Sequence, residues 1–273
     1  MSRPPAGSWA SSGDDEVLVT DATGELELTG ERTLPGISRE NYWFQRHLVA
    51  YEIAAALAEG RSVIDVGCGE GYGPSILARR AREVLGVDIA PEVVSHARKQ
   101  YGTENLSFRV MDVNRLELPP QSFDLAVSLQ VVEHLADVSG YFAEMARILA
   151  PEGVALLSTP NRLTISAGSD KPINPWHLRE YTPEEFRDVL GGYFETVEIK
   201  GLFHSRWLKL NEKIPLVDFI RVYEMKRYNP RYWTHRLLAP RVGTADFRVS
   251  TSGIENCLDI IAICRNQVLE LSL

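Results

Sequence analysis

The chain has 273 residues, of which 44% are hydrophobic and 24% are charged, as in an ordinary globular protein. This length suits one large domain, or one domain with a sizeable insertion. The formal net charge of −8 gives no reason to expect a nucleic-acid partner. No apolar run reaches the roughly 18–20 residues that span a bilayer. Three cysteines, Cys68, Cys257 and Cys264, have neither disulfide nor metal spacing, which predicts a reducing cytoplasm as the compartment.

The first sixty residues predict a tail and then a helix that covers the domain. Residues 1–20 are rich in Pro, Ser, Gly and Asp and lack an apolar signal core, so we expect a disordered tail. In residues 21–60, a short alternating strand is expected at 25–28, and Ser38 is a candidate cap for a helix that runs to about Ala58. The expected apolar face of this helix consists of Phe44, Leu48, Tyr51, Ala55 and Ala58.

Residues 63–73 carry the most informative pattern in the chain. An apolar, β-branched run holds Asp65 near its end, and a loop with glycines at 67, 69, 71 and 73 follows. Glycines allow positive φ and let a ligand approach the main chain closely. A dinucleotide fingerprint would need its third glycine at position 72, which is Tyr72. The loop therefore predicts a cofactor site of another kind at the carboxyl end of a parallel strand.

Two carboxylates narrow the choice of cofactor. A second apolar strand, at 84–87, ends in Asp88, 19 residues after Gly69, where an acid can accept hydrogen bonds from both ribose hydroxyls. Asp65 places negative charge beside the loop, which suits a ligand with an ammonium and a sulfonium group and would repel a pyrophosphate. The alternative is a purely structural glycine turn. It does not explain why Asp65 and Asp88 both occur at positions in the sequence that suit a cofactor site at the loop.

The rest of the chain alternates between strand-like and helix-like segments. Strands are expected at 106–111, 124–129, 153–158, 194–199 and 258–262, and helices at 74–82, 91–100, 138–149 and 183–190. Strands separated by helices predict an α/β fold with a mostly parallel, doubly wound sheet.

At this point the chain resembles the class I methyltransferases that use S-adenosylmethionine. Beyond the glycine loop, the likeness rests on Met111-Asp112-Val113, on the segment 123–135 that ends in Glu133-His134-Leu135, and on Leu149-Ala150-Pro151-Glu152-Gly153. These motifs lie in residues 61–200, the expected cofactor-binding core. The resemblance implies a Rossmann-like, doubly wound sheet of seven strands, whose last strand, in residues 257–273, inserts antiparallel.

The resemblance also implies which residues surround the cofactor. The glycine loop would hold its methionine portion, Asp88 its ribose and Asp112 its adenine. Related enzymes cover the cofactor with an N-terminal helix, which here would contribute Tyr42 and Arg46. The full expected set is Asp65, Gly67, Cys68, Gly69, Gly71, Asp88, Ile89, Met111, Asp112, Val113, Leu129, Gln130, Tyr42 and Arg46.

Candidate catalytic residues follow the fourth and fifth strands. A hydroxyl acceptor must lose its proton as it is methylated, and histidine is the usual base. His134, His177 or both are the candidates, and Glu133 could orient a histidine or satisfy backbone amides at a helix start. His47 and His204 are weaker candidates. Mg²⁺ could be imagined among Glu133, His134, Asp112 and His177, but no spacing requires it, so the metal stays unknown.

Residues 201–256 form an unusually long interval before the last strand. They hold ten Lys and Arg against five Asp and Glu, together with eight aromatic residues. A structureless loop of this length would be exceptional, so we expect helices here, one of them within residues 208–225. The interval is interpreted either as a lid that shapes the acceptor site, or as a homodimer contact or packed extension.

A closer resemblance concerns the acceptor. Thr29-Gly30-Glu31-Arg32-Thr33-Leu34-Pro35, Glu40-Asn41-Tyr42-Trp43-Phe44 and Lys171-Pro172-Ile173-Asn174-Pro175 are similar to segments of actinobacterial sugar O-methyltransferases, which include the methylglucose lipopolysaccharide type. This implies methylation of a hydroxyl of a saccharide or glycosylated metabolite, with a small-molecule or oligosaccharide acceptor. Two alternatives stay open: a methyltransferase for a phenol, amine or carbon acid, and a scaffold that retains the fold without catalysis.

Overall fold

The computed structural model of the chain describes residues 33–169, 171–214 and 229–267. The expected tail at 1–20 and the short strand expected at 25–28 lie outside these residues. Eight strands are described, namely β1 (Ser62–Val66), β2 (Glu83–Asp88), β3 (Leu106–Val110), β4 (Phe123–Leu129), β5 (Leu149–Pro160), β6 (Phe194–His204), β7 (Phe247–Ser250) and β8 (Asp259–Gln267). The helices are α1 (Asn41–Leu57), α2 (Tyr72–Leu77), α3 (Pro91–Tyr101), α4 (Val138–Ile148), α5 (Arg162–Ile165), α6 (Pro183–Gly191), α7 (Arg206–Lys213) and α8 (Pro230–Leu238).

The strands form one sheet in the order β3-β2-β1-β4-β5-β8-β6-β7. Strands β1 to β5 pair in parallel, whereas β8 runs antiparallel to both β5 and β6. The predicted α/β class, doubly wound order and antiparallel last strand are therefore confirmed. The direction of winding reverses between β1 and β4, and in such sheets ligands bind beyond the carboxyl ends of the strands at that point.

The prediction of seven strands was wrong by one. Strand β6 continues to His204, five residues past its expected end, and residues 247–250 pair antiparallel with this extension. The added strand β7 satisfies backbone groups that an edge strand would otherwise leave unpaired. The expected boundary at residue 201 thus falls inside a strand, and α7 and α8 lie within the interval that follows.

The sheet is covered on both faces. One apolar cluster joins it to α1, α2 and α3, and a second joins it to α4 and α6. All five residues of β1 are buried, as expected for a parallel strand between two helical layers. No helix among the described residues is both long and apolar enough to cross a membrane.

Helix α1 differs from its prediction in its start and in its buried face. It begins at Asn41 after Glu40, and Ser38 does not cap it. Phe44 and Leu48 are only partly buried, whereas Tyr42 and Arg46 are almost wholly buried. Apolar periodicity correctly predicted that Tyr51, Ala55 and Ala58 are buried, but it could not find the largest fully buried side chain of the helix, because Arg46 is a cation.

Candidate active site

The glycine loop after β1 is held in a conformation that glycine adopts most easily. Gly67, Gly69 and Gly71 have φ of 81°, 55° and 103°. A Cβ on Gly67 would lie 2.5 Å from Cγ2 of Val131, in the segment after β4. The amides of Gly67 and Cys68 both donate to the carbonyl of Val87 in β2. The loop is therefore fixed between β2 and the β4 segment, and neither Gly67 nor Gly71 leaves room for a side chain.

Asp65 lies buried beneath this loop with half of its carboxylate unsatisfied. The Tyr51 hydroxyl donates to Oδ2 over 3.0 Å, whereas Oδ1 is buried and has no hydrogen-bond partner among the described residues. Burial raises the pKa of Asp65 to about 7, although the Tyr51 hydrogen bond opposes this rise. A buried acceptor without a donor fits a ligand that brings an ammonium group to this place.

Asp88, at the end of β2, is fixed by two backbone amides. Gly69 N–H donates to Oδ2 and Ala90 N–H donates to Oδ1, each over 3.0 Å. Each carboxylate oxygen keeps a further lone pair. The side chain thus ties the glycine loop to β2 while presenting acceptors suited to a diol.

The other predicted cofactor residues occupy the same edge of the sheet, in different environments. Ile89 is 63% exposed, an unusual degree for a large apolar side chain beside a buried acid. Asp112 is exposed and accepts the Asn114 amide at Oδ1, and the Met111 amide donates to the Asp88 carbonyl. The side chains of Cys68, Val113 and Leu129 are buried in the apolar clusters, so only their backbones are available to a ligand.

Gln130 departs from ordinary backbone geometry where β4 ends. Its φ is 56°, a left-handed value that costs energy for a residue with a Cβ. Its amide donates to the Ser158 carbonyl over 2.9 Å, and its side-chain Nε2 donates to Ser158 Oγ over 3.1 Å. Strained residues of this kind cluster at functional sites, and this one turns the chain toward His134.

Tyr42 and Arg46 point their polar groups at other side chains of the protein. The Arg46 guanidinium forms a bidentate pair with Asp259 at the start of β8, with Nε–Oδ2 at 3.0 Å and Nη2–Oδ1 at 2.5 Å. The Tyr42 hydroxyl lies 2.7 Å from Nε2 of His204. Both side chains fasten α1 to the sheet, and their predicted contact with the cofactor stays a prediction.

His134 lies in a short turn directly after β4 and is oriented by the main chain. Its Nδ1 is 2.9 Å from the Trp176 carbonyl, an acceptor, so Nδ1 carries the proton and the neutral ring has its lone pair on Nε2. The preceding Glu133 is completely buried and accepts the Thr159 hydroxyl at Oε2 over 3.0 Å. Burial raises the pKa of Glu133 to about 8, although the Thr159 hydrogen bond opposes this rise.

His177 is held at both ring nitrogens. Nδ1 lies 2.7 Å from Oε1 of Glu180, whose side chain is fully buried, and Nε2 lies 3.0 Å from Nδ2 of Asn174. Asn174 Oδ1 accepts the Trp176 amide, which fixes the amide orientation and makes Nδ2 a donor to Nε2. The His177 lone pair is therefore engaged by a neighbouring side chain.

The structure brings the three predicted catalytic residues together. The rings of His134 and His177 meet edge to face with centroids 5.0 Å apart, and ligand atoms of Glu133, His134 and His177 all lie within 4.8 Å of one another. Asp112 is not part of this group. Two imidazoles with one carboxylate suit Mg²⁺ poorly, since Mg²⁺ prefers oxygen ligands.

The weaker histidine candidates are packed in the interior around α1. Burial lowers the pKa of His47 to about 4 and that of His204 to about 3, so both are neutral near pH 7. His47 lies 3.2 Å from Thr33 Oγ1, and His204 bridges Tyr42 and Glu212. These contacts are structural.

The sequence did not reveal the residues that orient the predicted site residues. Tyr51 binds Asp65, Thr159 binds Glu133, and Glu180 and Asn174 bind His177. The only signal was local: Asn174 and Glu180 each lie three residues from His177 in one polar loop. Partners from other elements, such as Tyr51 on α1, could be found only from the fold.

Comparisons with known proteins agree with this geometry. Residues 64–157 match the family model described as a methyltransferase domain. A probable S-adenosylmethionine-dependent methyltransferase of Mycolicibacterium smegmatis is 39% identical over 244 residues, covering 87% of this chain and 94% of that protein. A ubiquinone biosynthesis O-methyltransferase of Paracidovorax citrulli is 34% identical over 108 residues, which are 38% of this chain and 45% of that protein.

A solved structure shows the same fold at low sequence identity. It is a Thermotoga maritima protein described as an S-adenosylmethionine-dependent methyltransferase and possible histamine N-methyltransferase, with a TM-score of 0.58 and 15% identity over 83% of this chain and 91% of that chain. Since the mycobacterial relative is similar over nearly the full length of both proteins, this chain belongs to the S-adenosylmethionine-dependent methyltransferases.

Proposed function

We propose that this methyltransferase methylates a hydroxyl of a saccharide or glycosylated metabolite, with His134 as the general base. The observation that carries the proposal is that the Trp176 carbonyl lies 2.9 Å from Nδ1 of His134. The Nδ1–H of His134 is committed to this carbonyl, so Nε2 is the basic atom at the carboxyl edge of β4. A base oriented by a second group is the arrangement that general-base catalysis requires.

The cofactor would be held by the residues around the glycine loop. Asp65 Oδ1 would accept from the ammonium group, Asp88 from the ribose hydroxyls, and Asp112 from the adenine amine. The exposed apolar surface of Ile89 suits a flat adenine ring. When bound, S-adenosylmethionine supplies an activated methyl group, so the hard chemistry belongs to the cofactor.

The protein's own contribution is to orient the acceptor and to receive its proton. His134 Nε2 would take the proton of the acceptor hydroxyl as its oxygen accepts the methyl group and the carbon–sulfur bond of the sulfonium breaks to leave the thioether. The proton would then pass to solvent. His177, fixed by Glu180 and Asn174, packs against the His134 ring and limits its rotation. Burial raises the pKa of Glu133 to about 8, so this acid is mostly protonated at pH 7 and adds little negative charge beside His134.

Two observations support a hydroxyl acceptor, and a resemblance supports a sugar. One relative is named an O-methyltransferase, and the oriented His134 suits an alcohol, whose high pKa makes a base necessary. The saccharide rests on the similarity of residues 29–35, 40–44 and 171–175 to sugar O-methyltransferases. A phenol, amine or carbon acid of a secondary metabolite is the second candidate, since an ionised phenol needs little help from a base.

The test is transfer of radiolabelled methyl from S-adenosylmethionine to a panel of acceptors. The panel contains glucose- and mannose-based oligosaccharides, glycosylated metabolites and simple phenols, each with Mg²⁺ or with a chelator. Label on a saccharide supports the proposal, and mapping the methylated position identifies the hydroxyl. Label on phenols alone overturns the saccharide proposal, and a dependence on Mg²⁺ would contradict a mechanism based on His134 alone.

A further inference from the structure

Gly73, the fourth glycine of the loop, is not explained by the contacts proposed for the cofactor. It lies in α2 and does not have the positive φ of Gly67, Gly69 and Gly71. A Cβ added at Gly73 would overlap the ring of Tyr51, at its Cζ atom and at its hydroxyl oxygen. A side chain at this position would therefore have to displace Tyr51, so the glycine permits the close approach of α1 to the loop.

The Tyr51 side chain connects α1, the end of the glycine loop and the acid beneath the loop. It is 5% exposed and packs directly against Gly73. Its ring meets that of Tyr72 edge to face, with the centroids 5.4 Å apart. Its hydroxyl donates to Oδ2 of Asp65 over 3.0 Å. The position of this hydroxyl is thus fixed by residues of α1 and α2 together.

The hydrogen bond from Tyr51 has two effects on Asp65. It holds the carboxylate by Oδ2, while Oδ1 is buried and has no hydrogen-bond partner in the part of the chain that the structure describes. It also favours the charged form of the acid. Burial raises the pKa of Asp65 to about 7 and the nearby Asp88 adds to this rise, whereas the Tyr51 hydrogen bond opposes it. A carboxylate binds an ammonium group more strongly than a neutral acid does.

We propose that Tyr51 is a positioning residue for the cofactor, which acts through Asp65, and that Gly73 is the residue that admits it. The inference rests on the role of Asp65 proposed above, as the acceptor of the ammonium group of S-adenosylmethionine. The Tyr51 hydroxyl keeps the Asp65 carboxylate charged and in one orientation, with Oδ1 available to this ammonium group. Helix α1 thereby affects the affinity for the cofactor through a side chain that need not touch it.

The experiment is calorimetric titration of the full chain with two ligands. S-Adenosylhomocysteine carries the amino-acid group with its ammonium, whereas 5′-methylthioadenosine keeps the adenosine and the sulfur and lacks that group. Tyr51→Phe should weaken the binding of S-adenosylhomocysteine about tenfold, because a hydrogen bond to a charged group contributes about this much. It should leave the affinity for 5′-methylthioadenosine unchanged. An equal loss for both ligands would show a merely structural role of Tyr51 and overturn the proposal.

Gly73→Ala tests the role of the glycine. It should displace the Tyr51 ring and weaken S-adenosylhomocysteine selectively, as Tyr51→Phe does. Because both changes remove the same hydrogen bond, the double variant should bind no more weakly than the weaker single variant. Losses that add would show that the two residues act independently, which contradicts the proposal.

Two matched controls come from the other face of the sheet. Tyr141→Phe, on α4, removes the hydroxyl of another buried tyrosine. Gly191→Ala, at the end of α6, adds a Cβ where no atom lies within 4 Å. Neither change should alter the affinity for either ligand.

Asp65→Asn distinguishes failure of this inference from failure of the proposed function. If Tyr51 acts through Asp65, Tyr51→Phe should cause no further loss of affinity for S-adenosylhomocysteine in the Asp65→Asn protein. An undiminished affinity in Asp65→Asn alone would overturn the proposed role of Asp65, and this inference with it. A weakened affinity in Asp65→Asn together with an undiminished one in Tyr51→Phe would overturn this inference alone. Circular dichroism of each variant establishes that loss of binding is not loss of fold.

Discussion

At the scale of single residues, the candidate site contains two buried acids, and burial disfavours the charged form of each. Asp65 and Glu133 are both fully buried, and burial raises their pKa to about 7 and about 8. Each also has one carboxylate oxygen without a hydrogen-bond partner among the described residues. A buried carboxylate destabilises the fold when it ionises. The presence of two such acids at this site therefore favours a role for them in binding or chemistry.

Glu133→Gln should therefore stabilise the protein in a pH-dependent way. The folded state keeps the Glu133 proton up to about pH 8, whereas the unfolded chain loses it near about pH 4.3. The folded state thus binds more protons in this window, and the Glu133 contribution to stability falls as pH rises through it. Urea unfolding should show the variant more stable than the natural protein at about pH 8, with the advantage shrinking at about pH 5. A difference in unfolding free energy between the two proteins that does not change with pH would contradict this account of Glu133.

His134→Gln tests the proposed base. Loss of a general base typically slows turnover about 10²- to 10⁴-fold, so kcat should fall by this amount. The Kd for S-adenosylmethionine should stay largely the same, because His134 is not among the residues expected to hold the cofactor. His177→Gln is the matched variant, because it replaces the other histidine of the pair and leaves His134 in place. Turnover that survives in His134→Gln and fails in His177→Gln would move the role of base to His177.

At the scale of elements, one of the contacts that attach α1 to the sheet is a buried ion pair. Arg46 and Asp259 have side-chain exposures of 2% and 4%, and they join the N-terminal helix to the start of β8, 213 positions later in the chain. Tyr42 and His204 join the same helix to β6. These contacts position Tyr51 of α1, which reaches Asp65, so the pair supports the cofactor loop indirectly.

Arg46→Met should destabilise the protein by about 3–5 kcal/mol, because it leaves Asp259 buried without its cation. The double variant Arg46→Met with Asp259→Leu should recover most of this loss, since an apolar pair of similar volume is often as stable as a buried ion pair. Urea unfolding of both variants measures the free energies. A double variant as unstable as the single one would show that the pair is not the main contact. A stable double variant that no longer binds S-adenosylmethionine would support the predicted contact between Arg46 and the cofactor.

At the scale of the whole molecule, the sequence predicted the features that depend on local periodicity and on turn residues. The alternation of apolar strands with helices was sufficient to predict the α/β class and the doubly wound sheet, and the glycine loop with Asp88 predicts a cofactor site at the carboxyl end of β1. Periodicity could not reveal β7, because residues 247–250 become a strand only through the extended edge of β6. It also could not reveal the partners of buried polar groups: Asp259 is paired with Arg46 by tertiary packing, and neither residue signals the other in sequence.

Cofactor binding should be linked to the stability of the whole domain, because the residues expected to hold it come from three strand ends. A ligand at 100 times its Kd stabilises the folded state by about 2.7 kcal/mol, which corresponds to a rise in Tm of roughly 5–10 °C for a chain of this size. S-Adenosylmethionine and S-adenosylhomocysteine should both raise Tm, whereas adenosine diphosphate should not, since Asp65 disfavours a pyrophosphate. Asp88→Ala should abolish the rise, because it removes the ribose acceptor and the carboxylate that holds the Gly69 amide. Asp88→Asn, which keeps the shape and loses the charge, should retain part of it. A full rise in Asp88→Ala, confirmed by an unchanged Kd in calorimetry, would show that Asp88 does not bind the cofactor.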